Sequence, residues 1–160
     1  MATPLPITPV SALTPYTCGL ACLESVFLDK KRPLDQCEML KRYSWLLINP
    51  DPNKGHEYGA ASDVQIVDLC SHLGYKVGKF QDFRQRNVEK AFQDALDNGA
   101  GVLIMALWEK KDAHCVRLSK IKVPGVYEVI SPSLGSAIPL EITFPQLISW
   151  NFKFIIVSLG

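Results

Sequence analysis

The stretch TPYTCGLACLESVF, residues 14–27, decides the fold because an extended segment turns into a helix within it. Upstream, residues 1–16 are predicted to be extended, since each proline disfavours helix at the residue before it. Downstream, apolar residues recur at helical spacing and predict a helix over about 18–29. Cys18 therefore stands in the first turn of that helix.

The rest of the chain alternates helical and strand patterns around one long loop. Further helices are predicted over PLDQCEMLKRYSWLLI (33–48, with Pro33 in the first turn), 63–73 (opened by a Ser62–Gln65 capping box) and 88–98 (capped by Asn87). Residues 49–61, rich in Pro, Gly and Asn, predict a loop. Strands are predicted over 75–80, 101–108, 114–121, 126–130 and 152–159.

This order predicts an α+β fold in which an N-terminal helical half packs on a C-terminal antiparallel sheet. The chain has 160 residues, of which 48% are apolar, enough for a substantial core. No repeat, low-complexity stretch or linker divides it. We therefore expect a single domain over residues 1–160.

Charge and composition argue against several function classes. The formal net charge is +1 and no basic tract occurs, so no nucleic-acid partner is expected. No apolar run is long enough to cross a bilayer, so no membrane association is expected either. The first fifteen residues contain four prolines and no Lys or Arg, unlike a signal peptide. The five cysteines are odd in number and irregularly spaced, which favours a reducing compartment. The predicted location is cytoplasmic, or exported without a classical signal.

Cys18 is the sharpest candidate for chemistry. Unpaired N–H groups at a helix N-terminus favour an anion, so the pKa of the thiol is expected to fall and its nucleophilicity to rise. The N–H of Cys18 or of Gly19 can also point at a developing oxyanion, and Gly19 leaves room for a substrate backbone. The structural alternative is a small apolar residue at a helix start.

His114 is the second candidate, at the start of the strand HCVRLSKI. A hairpin turning at Val123-Pro124-Gly125 brings His114 within about two residues of the position opposite Ser131. An imidazole and a hydroxyl then meet at one end of the hairpin. A Cys–His pair with a third group that orients the ring is the arrangement that nucleophilic thiol catalysis needs. Asp112 is a spare carboxylate nearby. The structural alternative is a core histidine, since His114 shares a strand face with apolar residues.

The other cysteines and histidines predict no cofactor and no metal site. Cys22 shares a helix face with Cys18, but no CxxC or HxxxH pattern accompanies the two cysteines. Cys37 and Cys70 lie on apolar helix faces and are predicted to be core residues. Trp45 is expected to pack within the second helix.

Four segments together resemble the C39-like branch of the papain-like cysteine peptidases. They are YTCGLACLESVF (16–27), GAASDVQIVDLCSHLGYKVGKF (59–80), AHCVRLSKI (113–121) and VYEVISPSLGSAIPLEITFPQLISW (126–150). The family shows Gln-x4-Asp-Cys-Gly-x-Ala-Cys at its nucleophile, then a His-Phe-Val strand and an Asp-Pro-x-x-Gly turn. The resemblance covers nearly the whole chain and implies a papain-like fold.

Carried over by position, the resemblance makes Cys18 the nucleophile, His114 the general base and Ser131 the group that orients the ring. Ser131 stands where the family has aspartate. Ala12 stands where the family has its oxyanion-hole glutamine, and Thr17 replaces the aspartate before the nucleophile. A backbone N–H or a hydroxyl, from Thr14 or Ser11, is the expected substitute for the glutamine.

The expected function is a thiol hydrolase that acts on a peptide or protein amide through Cys18 and His114. A glutamine deamidase or an acyltransferase-type effector uses the same thioester and stays an alternative. A catalytically silent binding module with a papain-like groove is the alternative from another class, and a redox or metal protein using Cys18 and Cys22 is a third. The sequence does not predict the oligomeric state.

Overall fold

The computed structural model describes residues 7–12, 17–47, 63–82, 84, 87–110, 112–133 and 135–159. The helices are α1 (Cys18–Asp29), α2 (Gln36–Arg42), α3 (Ser44–Leu47), α4 (Asp63–His72), α5 (Val88–Asp97) and α6 (Phe144–Ser149). The strands are β1 (Tyr75–Val77), β2 (Gln81–Asp82), β3 (Gly101–Trp108), β4 (Asp112–Val123), β5 (Val126–Ser133), β6 (Ser136–Thr143) and β7 (Lys153–Leu159). No helix in these ranges is long and apolar enough to span a bilayer.

The described strands form one seven-stranded sheet in the order β1-β7-β3-β4-β5-β6, with β2 also pairing with β7. Every recorded strand pair is antiparallel. Four helices precede this sheet in the chain, so the predicted α+β class and the antiparallel sheet are confirmed. The central strands β7, β3, β4 and β5 run side by side and carry the core.

Both faces of the central sheet are buried. Leu103 of β3 packs with α1 and α4 in one apolar cluster, whereas Val102 and Ile104 pack with α5 in a second cluster on the other face. Successive side chains of a strand point to opposite faces, so a strand covered on both sides must be apolar throughout. This explains the uninterrupted apolar run GVLIMALW.

The predicted second helix is shorter and broken in the structure. Asp35 is the N-cap of α2 and accepts a hydrogen bond from the backbone N–H of Glu38, so Pro33 lies before the helix and outside its first turn. At Tyr43 the backbone leaves helical geometry, with φ −121° and ψ 26°, and the buried ring packs into the first cluster. The helical pattern therefore continues as two pieces, α2 and α3.

Two side chains on this segment lie elsewhere than predicted. Cys37 is exposed, one residue into α2, and the side chain of Trp45 is 68% exposed in α3, where it contacts the ring of His72. The predictions that Cys37 is a core residue on an apolar helix face and that Trp45 packs within the second helix are therefore wrong, because both rest on one continuous helix over 33–48. Cys70, in α4, is buried as predicted.

The sequence patterns missed β6 and α6. β6 contains Pro139 and is an edge strand of the sheet, where a missing N–H is tolerated. Thr143 and Gln146 form a capping box that opens α6, with proline in the first turn. The Thr143–Gln146 capping box is visible in the sequence and is the pattern that predicts this short helix.

The turn Pro124-Gly125 joins β4 to β5 at the predicted place. Gly125 has φ +82°, which glycine adopts without strain. Its N–H donates to a carboxylate oxygen of Glu89 at 2.6 Å, and the hydroxyl of Tyr127 donates to the same oxygen at 2.9 Å. Glu89 belongs to α5, so the helix holds the closed end of this hairpin against the second face of the sheet.

Arg117 forms a buried polar network on the first face of the sheet. Its guanidinium donates to the hydroxyl of Ser25 at 2.8 Å and forms an ion pair with Asp29. The other oxygen of Asp29 accepts from the backbone N–H and the hydroxyl of Thr8, at 3.1 and 2.7 Å. The network therefore joins the N-terminal segment, α1 and β4.

We predict that Asp29→Asn destabilises the protein strongly. Removal of the carboxylate leaves the buried guanidinium of Arg117 without a counter-charge, a loss of about 3 kcal/mol in the free energy of unfolding. Urea denaturation followed by circular dichroism measures it. Asp94→Asn, which removes an exposed partner of Lys90, is the matched control and should leave the urea midpoint unchanged. Equal midpoints for the two variants would contradict the assignment.

Candidate active site

The N-terminus of α1 begins at Cys18, the residue predicted from the sequence. The carbonyl of Thr17 accepts from the N–H of Ala21 at 2.8 Å, the first hydrogen bond of the helix. Gly19 follows, and a Cβ there would lie 3.0 Å from the δ1 carbon of Ile66 in α4. The space beside Gly19 is therefore used for packing α4 against α1, and not for a substrate backbone as we expected.

Strands β4 and β5 separate beside the N-terminus of α1. Their pairing begins with Arg117 opposite Ile130, so a continued ladder would place Cys115 opposite Pro132. Proline has no N–H to donate, and the ladder stops there. The opening between the two strands lies at the end of the hairpin away from the Pro124-Gly125 turn.

Helix α1 approaches the backbone of Cys115 in place of β5. The carbonyl of Cys115 accepts a hydrogen bond from the thiol of Cys22 at 3.5 Å, and its N–H lies near enough to the sulfur of Cys18 to lower the pKa of that thiol. Cys18 and Cys22 are one helical turn apart, so their thiols lie along the same strand backbone. The side chain of Cys115 itself is buried in the first cluster, opposite in direction to that of His114.

Ser131 and His114 are brought together across this opening. The Nε2 of His114 lies 2.8 Å from the Oγ of Ser131, which is buried in β5. The ring of Trp108 meets the imidazole edge to face, with centroids 5.5 Å apart, and Trp150 packs against Trp108 at 4.6 Å. The structure thus provides the contact between imidazole and hydroxyl that the hairpin predicts, with one indole against the imidazole and a second indole packed on the first.

The peptide bond between His114 and Cys115 links the two candidate groups. Its N–H lies near the sulfur of Cys18, and the imidazole of His114 reaches Ser131 of β5. The thiol and the ring therefore both lie at the separated ends of β4 and β5. Thr14, the expected oxyanion donor, lies outside the described residues.

Burial sets the protonation of both groups. It raises the pKa of the Cys18 thiol to about 11, and the N–H groups of Cys115, Gly19 and Cys18 oppose this rise without reversing it. The expectation of a lowered thiol pKa was therefore wrong, because desolvation outweighs the helix N-terminus. Burial also lowers the pKa of His114 below its usual value, so both groups are neutral at pH 7.

Ala12 occupies the position of the expected glutamine without offering a side-chain donor. Its N–H donates to the carbonyl of Ser133 at 2.9 Å, and the residue is buried beside the end of β5. Gln36, which the sequence analysis did not select, lies next to this segment and donates its amide to the carbonyl of Ser11 at 2.9 Å and to Glu24 at 3.2 Å. Its two N–H groups are engaged, so Gln36 positions the N-terminal segment. Nothing local in the sequence marks this long-range contact.

Metal-binding geometry is absent from the described residues, in which no group of three or more His, Cys, Asp or Glu side chains is arranged to hold an ion. The three cysteines of this site are held by hydrogen bonds and packing. They line the interface between α1 and β4, and this gives Cys18 and Cys22 a structural role whatever their chemistry.

Comparison with known proteins assigns no family. No family model matches the sequence, and no curated protein matches it significantly. The resemblance carried by the four sequence segments therefore stays a prediction. The function is inferred from the arrangement of Cys18, His114 and Ser131.

We predict that the Cys18 thiol alkylates slowly at neutral pH. Because its pKa is raised to about 11, the thiolate fraction at pH 7.5 is very small, and labelling should accelerate as the pH rises toward 11. Iodoacetamide labelling followed by peptide mass spectrometry gives the rate at each cysteine. Cys37 is the internal reference because it is exposed. Faster labelling of Cys18 than of Cys37 at pH 7.5 would contradict a protonated resting thiol.

Proposed function

We propose that this protein is a papain-like thiol hydrolase that cleaves a peptide or protein amide, with Cys18 as nucleophile and His114 as general base. The single observation that supports this most is the 2.8 Å contact between Nε2 of His114 and Oγ of Ser131. With Nε2–H donating to the hydroxyl oxygen, Nδ1 is the unprotonated nitrogen of the neutral ring. It is then the nitrogen available to accept a proton from the thiol.

The neutral state of both groups favours a concerted proton transfer. As the sulfur of Cys18 attacks the carbonyl carbon, Nδ1 of His114 takes the thiol proton, and the resulting imidazolium then protonates the leaving amine. Water, activated by the same nitrogen, hydrolyses the thioester and regenerates the thiol. Ser131 holds the ring in one orientation throughout, because its oxygen accepts Nε2–H in both protonation states.

Oxyanion stabilisation is the weakest part of the proposed machinery. The N–H groups of Cys18 and Gly19 approach the thiol and are the donors that the first turn of α1 offers. Ala12 contributes no side-chain donor. One missing donor costs about 3 kcal/mol of transition-state stabilisation, roughly a hundredfold in rate. A slow hydrolase, or one specialised for a single activated amide, is consistent with an oxyanion site that lacks one donor.

A silent papain-like binding module is the second candidate. The raised pKa of the Cys18 thiol favours it. So do the contacts of Cys18 and Cys22 with the backbone of Cys115, because they give both cysteines a structural role without catalysis. A deamidase or acyltransferase shares the thioester of the first proposal and differs only in the group that leaves or accepts. Product analysis separates all of these.

Turnover of peptides is the decisive test. We expect incubation with a diverse peptide library to give new termini for a peptidase, or a mass increase of about 1 Da with ammonia release for a deamidase, both readable by mass spectrometry. Cys18→Ala and His114→Ala should each lower the rate by roughly 10² or more, since each removes a group that acts in the chemical step. Cys37→Ala is the matched control and should retain the wild-type rate. Absence of turnover, with peptide binding retained in Cys18→Ala, would establish the binding module instead.

Ser131→Asp tests the role of the orienting residue. A carboxylate beside Nε2 favours the imidazolium, so this variant should raise the pKa of His114 and move the acidic limb of the rate profile to higher pH. In the wild type, burial places that limb below 6.5. Ser131→Ala should weaken the rate about fivefold through the loss of one neutral hydrogen bond. An acidic limb that does not move in Ser131→Asp would show that Ser131 does not act on His114.

A further inference from the structure

A cavity of about 220 Å³ lies at the other end of α1 from Cys18, beside the loop that follows the helix. Its lining consists of Phe27, Arg32, Pro33, Leu34, Arg42, Tyr43, Leu73 and Tyr75. Phe27 is nine residues beyond Cys18, or about 13 Å along the helix axis. The cavity is therefore separate from the candidate active site.

Two guanidinium groups and two aromatic rings give this cavity its chemistry. Arg32 lies over the ring of Tyr75, 5.9 Å from its centroid, and Arg42 lies over the ring of Tyr43 at 5.6 Å. These cation–π contacts hold the charged ends of two exposed side chains at the cavity. The ring of Tyr75 is also stacked on Phe27, with centroids 4.9 Å apart, so two stacked aromatic rings form one side of the cavity.

The positive charge of this cavity is not neutralised within the described residues. None of the lining residues is acidic, and no ion pair joins Arg32 or Arg42 to a described carboxylate. By contrast, Arg117, the buried arginine, has Asp29 as its counter-charge. Two arginines with aromatic support and no acidic partner among the described residues present oriented donors of the kind that bind an oxyanion bidentately.

We propose that this cavity binds a small organic carboxylate whose apolar part is aromatic or branched. The carboxylate would accept hydrogen bonds from Arg32 and Arg42, and the apolar part would contact Phe27 and Leu73. The volume suits a group of this size and is too small for a typical drug-sized ligand. The same chemistry occurs in a free carboxylic acid and in the C-terminal residue of a peptide.

Phenylacetate is the probe for this proposal, and isothermal titration calorimetry with the full chain is the measurement. We expect phenylacetate to bind. Phenylacetamide, which lacks the carboxylate, and acetate, which lacks the aromatic ring, should each bind at least tenfold more weakly. Arg32→Gln and Arg42→Gln should each weaken phenylacetate roughly tenfold or more, as expected for loss of a charge-assisted hydrogen bond. Lys41→Gln, which removes a neighbouring exposed cation outside the cavity, is the matched control and should bind as the wild type does.

A second arm distinguishes the two sources of the carboxylate. A short peptide ending in phenylalanine with a free carboxylate is compared with its C-terminal amide. If the acid peptide binds more tightly than phenylacetate, the ligand is a peptide C-terminus. If the acid peptide binds more weakly than phenylacetate, the ligand is a free carboxylic acid. No binding of phenylacetate at millimolar concentration, equal affinity in Arg32→Gln and Lys41→Gln, or tighter binding of inorganic phosphate than of phenylacetate would each overturn the proposal. These outcomes are independent of any activity at Cys18.

Discussion

The docking of α1 against the open end of β4 is the interaction on which the rest of the structure depends. A strand edge in the interior cannot leave its N–H and C=O groups without partners, because an unsatisfied buried group costs about as much as a lost hydrogen bond. At Cys115 the carbonyl accepts from the thiol of Cys22, and the sulfur of Cys18 lies near the N–H, where a neighbouring strand would otherwise pair. The start of α1 is thereby fixed relative to β4, and with it the distance between the helical and the sheet parts of the chain.

The same docking determines the electrostatics of Cys18. A helix N-terminus in water stabilises a thiolate, but here the helix begins inside the protein, where the charged form loses its hydration. The environment of His114 acts in the same direction, since its partial burial beside Trp108 lowers the pKa of the imidazole. A thiol and an imidazole that are both neutral resemble the resting state of a serine hydrolase more than that of an ion-paired cysteine enzyme.

The sequence was sufficient for elements that are determined locally. The start of α1, the hairpin turn at Pro124-Gly125 and the contact between His114 and Ser131 all follow from spacing and turn chemistry. Features that depend on distant parts of the chain were not predictable. The pKa of Cys18 is set by burial against β4, and Gln36 reaches the N-terminal segment across 25 residues of sequence. Helical periodicity also continues through Tyr43, where the backbone leaves helical geometry and the ring is buried.

Pro132 accounts for the opening between β4 and β5. Two antiparallel strands joined by a tight turn extend their pairing from the turn outward, and this hairpin would close completely if each residue could donate. An imino acid opposite Cys115 stops that extension and leaves space that α1 then occupies. Closure of the hairpin and insertion of the helix therefore compete for the same backbone groups. A single residue without an amide hydrogen therefore leaves the backbone of Cys115 open to α1 instead of to a longer hairpin ladder.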